Sequence, residues 1–293
     1  MPLPQAKSFD GPVGLWFADP VDIRRRIEPN PTQFPELNAL LEEMTRRAMD
    51  ILGANFVGAY LQGSFAVGDA DMHSDCDFLV PVRGPVSARQ EAGLRTLHDE
   101  LPTRPGHWTH HLEGSYPLAA DLRSLDGLGQ EWLYIDHGWR EMQWSTHCNT
   151  EVVRWSLREC GVTLAGPEPK TLVDEVRPEV LRAKMRQYAS EFLPAMFTWV
   201  TFDIAWAQRY AVTTFCRILH TLDSGRVTSK KAALFWARDS LDQAWSGLVK
   251  QVIDDRPLGW DPGQAPRPGS AERTLAFADY AQDVASGATQ VPD

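Results

Sequence analysis

The stretch LQGSFAVGDADMHSDCDFLV, residues 61–80, decides the fold. It leaves one apolar run, turns through Gly63 and Ser64 into a polar loop, and enters a second apolar run through Asp75, Cys76 and Asp77. Successive side chains of an extended strand alternate faces. Asp75 and Asp77 therefore project to one side, Cys76 and Phe78 to the other, and both carboxylates reach one point in space. Unpaired charge at the mouth of a buried strand is costly. A pair of acids so placed suits a magnesium ion, a hard cation that takes oxygen ligands and keeps positions for phosphate oxygens and water. Gly63 and Ser64, on the loop ahead of the pair, offer backbone N–H groups and a hydroxyl to a phosphate, with no Cβ in the way at the glycine.

Upstream, FPELNALLEEMTRRAMDIL (34–52) sets Leu37, Leu40, Leu41, Met44, Ala48 and Leu52 at helical spacing, with Gly53 as its stop. NFVGAYLQG (55–63) and DCDFLVPV (75–82) predict strands around the loop, and a helix follows over 87–101. HWTHHLEG (107–114) predicts a third strand in which Thr109, His111 and Glu113 share a face. Glu113 is then a strand-end acid able to face the pair, accept the proton of an attacking hydroxyl, or share a metal. NTEVVRWSLREC (149–160) reads as a helix ended by Gly161. The Gly- and Pro-bearing segment 165–179 separates this strand-bearing half from one with only helical signals, over 178–200, 203–223, a broken stretch 228–255, and 271–286. The expected class is α+β: a Pro-rich irregular extension (1–33), a mixed sheet with flanking helices (34–168) and an all-α bundle (169–293).

With 293 residues, 43% of them hydrophobic, the chain can bury a sizeable core. Its net charge of -10 disfavours a nucleic-acid partner, since a phosphate backbone calls for a basic surface. No run of about 18 apolar residues spans a membrane. Cys76, Cys148, Cys160 and Cys216 lack paired spacing and read as reduced, buried thiols of a cytoplasmic protein. His110, His111, His137 and His147 show no zinc-binding spacing.

The apolar strand, the Gly-Ser pair, the loop of about ten residues and the Asp-x-Asp entering the next strand resemble the signature of the nucleotidyltransferase superfamily that includes DNA polymerase beta. CRILHTLDSGRVTSKKAALFWARDSL (216–241) is similar to the helical C-terminal domain of the aminoglycoside (3'')(9) adenylyltransferases, which confer streptomycin and spectinomycin resistance, and CGVTLAGPEP (160–169) resembles that family's linker. The resemblance implies that Asp75 and Asp77 bind the magnesium ions carrying ATP, that Gly63 and Ser64 hold its phosphates, and that Glu113 is the base activating the acceptor hydroxyl. Lys230 falls where the family sets a lysine on the nucleotide phosphates, a solvated helix-start lysine being the alternative. Trp132 resembles the family's tryptophan against the drug, with a core position as the alternative. Asp203 stands where the family has acids for a cationic substrate, with a helix N-cap as the alternative. Arg217 matches a family arginine and, in an apolar helix, is expected to form an ion pair between helices.

The implied activity is transfer of AMP from ATP to a hydroxyl of a cationic, aminoglycoside-like small molecule by a monomer, with release of pyrophosphate. Transfer to another acceptor, such as a protein side chain, and a catalytically silent nucleotide-binding protein are the alternatives. One departure bears on the acceptor. Where the family has a polar loop with several acids, this chain has TWVTFDIAWAQRY (198–210), apolar and with a single Asp.

Overall fold

The computed structural model describes residues 27–288. The expected irregular extension lies outside the described residues as far as Arg26; beyond it, Ile27 bridges Ala165 and the Glu28 amide donates to the Leu164 carbonyl at 2.8 Å.

Helix α1 (Pro35–Leu52) starts with proline at its first position, where no N–H is needed, and the Asn38 side chain reaches back to the Thr32 carbonyl at 2.9 Å. Its apolar stripe, Leu37 to Leu52 at the predicted spacing, is buried. The sheet has six strands in the order β5-β4-β3-β2-β1-β6: β1 (Ala59–Leu61), β2 (Cys76–Leu79), β3 (Leu112–Tyr116), β4 (Trp132–Ile135), β5 (Gln143–Ser145) and β6 (Val162–Ala165). Only β2 and β3 pair in parallel, the other neighbours being antiparallel. One face, carrying Phe78 and Val80, packs with Leu41 and Met44 of α1 and with Leu94 and Leu97 of α3 (Ala88–Glu100). The other carries Tyr60, Leu79, Trp132 and Tyr134, packed with Leu157 of α5 (Glu151–Cys160) and Val173.

Local structure departs from the sequence expectations in several places. The first strand shrinks to Ala59–Leu61 and the second to Cys76–Leu79. Gly63 and Ser64 belong to a single helical turn, α2 (Gly63–Ala66), instead of an open loop. The third strand begins only at Leu112, because Trp108–His110 forms a 3-10 turn. That turn is fixed by Thr109 Oγ1 donating to the Gly106 carbonyl at 2.8 Å and by Trp108 packing against Phe34 and Phe65, with ring centroids 4.9 and 5.6 Å away. Strand β6, taken from the sequence as part of a linker, is an edge strand on β1.

Two short helices, α4 (Ala119–Arg123) and α6 (Pro169–Leu172), complete this half. The other half is helical: α7 (Pro178–Met196), α8 (Ala205–Ser224), α9 (Lys230–Ser240), α10 (Ser246–Asp255) and α11 (Ser270–Ser286). The broken stretch is α9 and α10, and α7 stops soon after Pro194. Phe192, Phe215 and Phe277 are among the side chains of this second core, against which Val152 of α5 also packs. Among the described residues no helix is long and apolar enough to cross a membrane. Cys76, Cys148 and Cys216 are buried free thiols, whereas Cys160 is half-buried.

Candidate active site

The parallel pairing of β2 with β3 sets Asp77 directly beside Glu113, and Asp75 precedes β2 by one residue. A cleft of about 240 Å³ gathers all three acids with Gly63 and Ser64 from the sheet half, and Arg217, Ser229, Lys230 and Arg256 from the helical half. The three acids are held differently. No donor among the described residues bonds the Asp77 carboxylate. Burial first, then the charges of Glu113 and Asp75, push its pKa well above the usual carboxylate range, against the opposite pull of Lys230 and Arg217. Burial also works to raise Asp75, but the hydrogen bond and charge of His137, followed by the charges of Lys230 and His111, bring it below its ordinary value. His137 Nδ1 bonds Asp75 Oδ1, and this bond is the largest cause of that histidine's raised pKa. Glu113 Oε1 accepts from the Tyr134 hydroxyl at 3.0 Å and lies 3.2 Å from His147 Nε2. That contact is in turn the largest cause of the raised pKa of His147.

Gly63 has a positive φ of 61°, and a Cβ built there falls 2.0 Å from Asp77 Oδ2. The glycine thus lets the turn lie against the carboxylate. Ser64 Oγ donates to the Asp75 carbonyl at 3.3 Å, closing the turn onto the start of β2. Lys230 opens α9 next to its N-cap Ser229, whose hydroxyl accepts from the Ala232 amide at 3.0 Å. Burial, and then Arg217, lower the Lys230 pKa, while Asp75 and Asp77 act to raise it.

The donor set fits a magnesium ion. An oxygen-only group of acids, one of them half-buried and unpaired, carries negative charge that a hard cation compensates. Among the described residues no group of three or more His, Cys, Asp or Glu is arranged to hold a metal by itself. Magnesium is usually held by one or two carboxylates completed by phosphate and water, rather than by an all-protein cage.

Two expected residues stay out of the cleft. Trp132 is 2% exposed on β4, inside the core beneath α5, with the Arg154 guanidinium 5.5 Å from its ring centre. The alternative core position is the one the structure gives it. Asp203 is exposed in the turn before α8, where it accepts from Thr201 Oγ1 at 3.0 Å; it does not line the cleft, and the N-cap is Ile204, so the alternative cap is not formed. Arg217 corrects the sequence expectation in the opposite direction. It forms no ion pair among the described residues, its Nε donates to the Thr228 carbonyl at 3.4 Å, and it lines the cleft opposite the acids. His137, His147, Tyr134 and Arg256 were not singled out for this role. Their partners lie far along the chain, and no local spacing announces them.

Residues 176–257 match the model of the aminoglycoside adenylyltransferase C-terminal domain. Two relatives, the spectinomycin 9-adenylyltransferases of Staphylococcus aureus strains Mu50 and N315, are each 22% identical over 235 residues, covering 69% of this chain and 86% of the relative. The crystal structure of a spectinomycin adenyltransferase from Enterococcus faecialis with ATP and spectinomycin superposes with a TM-score of 0.61 at 13% identity, covering 85% of this chain and 99% of that one. The protein is thus aminoglycoside adenylyltransferase-like in its helical half, and it has the fold of such an enzyme over most of its length.

Proposed function

We propose that the protein is a magnesium-dependent nucleotidyltransferase that moves AMP from ATP to a hydroxyl of a small molecule of the aminoglycoside kind. The observation that carries this reading is the parallel β2–β3 register, which sets unpaired Asp77 beside Glu113 across a cleft from Lys230 and Arg217.

Asp77 and the free oxygen of Asp75 would hold the magnesium, which would neutralise charge on the phosphates and orient them. Gly63 and Ser64 border the phosphates on the sheet side, and Lys230 and Arg217 meet them from the helical side. Glu113, oriented by Tyr134, takes the proton from the acceptor hydroxyl. The hydroxyl oxygen forms a bond to the α-phosphorus as the bond to pyrophosphate breaks; the proton ends on Glu113 and the leaving pyrophosphate faces the two cations. One chain supplies every group, so a monomer suffices, and free thiols together with ATP as donor suit the cytoplasm.

Asp77→Asn removes the central ligand, and turnover should fall by at least about 10³-fold in a folded protein. Glu113→Gln should lower kcat with magnesium–ATP affinity nearly unchanged. Pyrophosphate release and calorimetric ATP binding read the two effects. Near-normal turnover in Asp77→Asn sinks the assignment, while lost ATP binding in Glu113→Gln recasts Glu113 as a metal ligand.

A further inference from the structure

A second cavity, of about 160 Å³, adjoins the cleft and shares Arg217, Lys230 and Arg256 with it. Its walls are aromatic, with Tyr188 from α7, Trp206 and Tyr210 from α8, and Trp260 from the loop after α10. These rings form a continuous cluster: Trp206 and Trp260 have centroids 4.7 Å apart, Tyr210 and Trp260 5.6 Å, and Trp199 stacks on Trp206 at 6.0 Å. Trp199 is 57% and Trp260 49% exposed, so large apolar faces stand open at the mouth. Exposed aromatic surface rimming a cavity marks a place where something docks.

The lining contains no Asp or Glu. Its charged groups, Arg209, Arg217, Lys230 and Arg256, are all cationic, and the one other basic side chain is His73. Arg256 is bonded to Asp71 at 2.9 Å, so that loop acid is already neutralised. Arg209 is held by the Gln264 side chain at 2.6 Å and the Gly259 carbonyl at 2.7 Å, and remains a cation on the wall. Arg217 and Lys230 belong to the phosphate side. Aromatic faces alone attract cations, but here an ammonium would find guanidinium groups in place of the carboxylates that recognise amines.

A third space, of about 90 Å³, borders both: it shares Val152 and Val227 with the cleft, Tyr188 and Thr214 with the aromatic cavity and Arg217 with each, and Met185 and Ile218 complete its apolar wall. The aliphatic side chains Val152, Met185, Ile218 and Val227 beside the phosphate groups suit one face of the nucleotide base, and the larger, more aromatic cavity is left to the acceptor.

We infer that the acceptor docks in the cavity of Tyr188, Trp206, Tyr210 and Trp260, and that it is a hydroxylated ring compound presenting an uncharged, aromatic or apolar face there, not a polycation. This rests on the transfer reading above and narrows it: the acceptor keeps the hydroxylated rings of the aminoglycoside class without ammonium groups on the docked face.

The test uses the full chain with two matched probes, phenyl β-glucoside and its 2-amino analogue, beside spectinomycin and streptomycin. Calorimetry reads probe binding and magnesium–ATP binding separately, and pyrophosphate release reads transfer. The neutral probe should bind at least about tenfold more tightly than its amine. Trp260→Ala, at an exposed position, should weaken that binding at least about tenfold with ATP affinity within about twofold. Thr213→Asp adds a carboxylate to the wall and should shift preference toward the amine. Preference of the wild type for the amine or the two drugs, binding of neither probe, or equal weakening of ATP by Trp260→Ala, each overturns the inference. Loss of magnesium–ATP binding or transfer, with neutral-probe binding intact, instead defeats the transferase reading and leaves the cavity assignment standing.

Discussion

Gly63 and Arg217 show how much of the cleft rests on single positions. The glycine adopts a φ that costs most residues about 1 kcal/mol or more, and its missing Cβ leaves room for the Asp77 carboxylate, whose Oδ2 would lie 2.0 Å from a Cβ there. Gly63→Ala must therefore rotate Asp77 or push the turn away. The variant should lose about 1–3 kcal/mol of stability and at least about 10²-fold in turnover, since misplacement by about 1 Å costs this much. Thermal unfolding and pyrophosphate release check both numbers, and a folded variant with normal turnover shows that Asp77 does not need this position. In the sequence Arg217 matches a family arginine, but its place in an apolar helix pointed to structure and not to the cleft. An ion pair between helices is the usual resolution, but here the guanidinium lines the cleft between the two halves, where on the proposed function a phosphate-bearing ligand would supply the missing anion.

At the scale of elements, the sequence revealed Glu113 even though the strand expected around it was too long. Thr109, His111 and Glu113 share parity, so replacing the first part by a 3-10 turn left the face of Glu113 unchanged. Strand β4 was illegible for the opposite reason. Trp132, Leu133, Tyr134 and Ile135 are all buried, and a strand covered on both faces has no alternation to read. Trp132 was consequently placed by likeness to a motif, when its strand sends it under α5. The histidine partners were hidden because tertiary pairing, unlike periodicity, leaves no local trace. One buried histidine makes element packing measurable. His98 joins α3 to the sheet: its ring stacks on Phe78 at 5.5 Å and its Nε2 bonds the Tyr116 hydroxyl at 2.7 Å. Burial, with the Arg47 charge adding to it, lowers its pKa from 6.5 to about 3. Because the folded pKa is the lower one, the unfolded chain binds the extra proton between these values. Stability is therefore full above about pH 6.5 and falls as pH drops toward 3, by on the order of 2 kcal/mol between pH 7 and 5. Denaturant titration of the wild type and His98→Gln should show this component missing in the variant; identical pH slopes would exclude His98 as its source.

At the scale of the whole molecule, the segment between α2 and β2 does more than connect them. Asp69 accepts from the Lys231 amide at 3.2 Å, at the start of α9, and Asp71 is paired with Arg256, just past α10, at 2.9 and 3.2 Å. The sheet half thereby grips the same helical ends that deliver Lys230 and Arg256 to the cleft. Asp71 keeps 43% of its side-chain area exposed, so its ion pair contributes little to global stability, about 1 kcal/mol at most. Its effect belongs instead to the distance between the halves. Asp71→Ala should shift the melting temperature by about 2 °C or less, yet raise the KM for ATP about fivefold, the equivalent of that same 1 kcal/mol spent on holding the cations in place. Since the pair is screened by salt, wild-type KM should climb toward the variant's value as sodium chloride is raised from about 0.02 to 0.5 M, with the variant responding less. An unchanged KM at low salt would mean that the Asp69–Lys231 bond and the apolar contact of Val152 with the helical core set the cleft without Asp71, and a large drop in melting temperature would make the loop a structural strut instead of a positioning device.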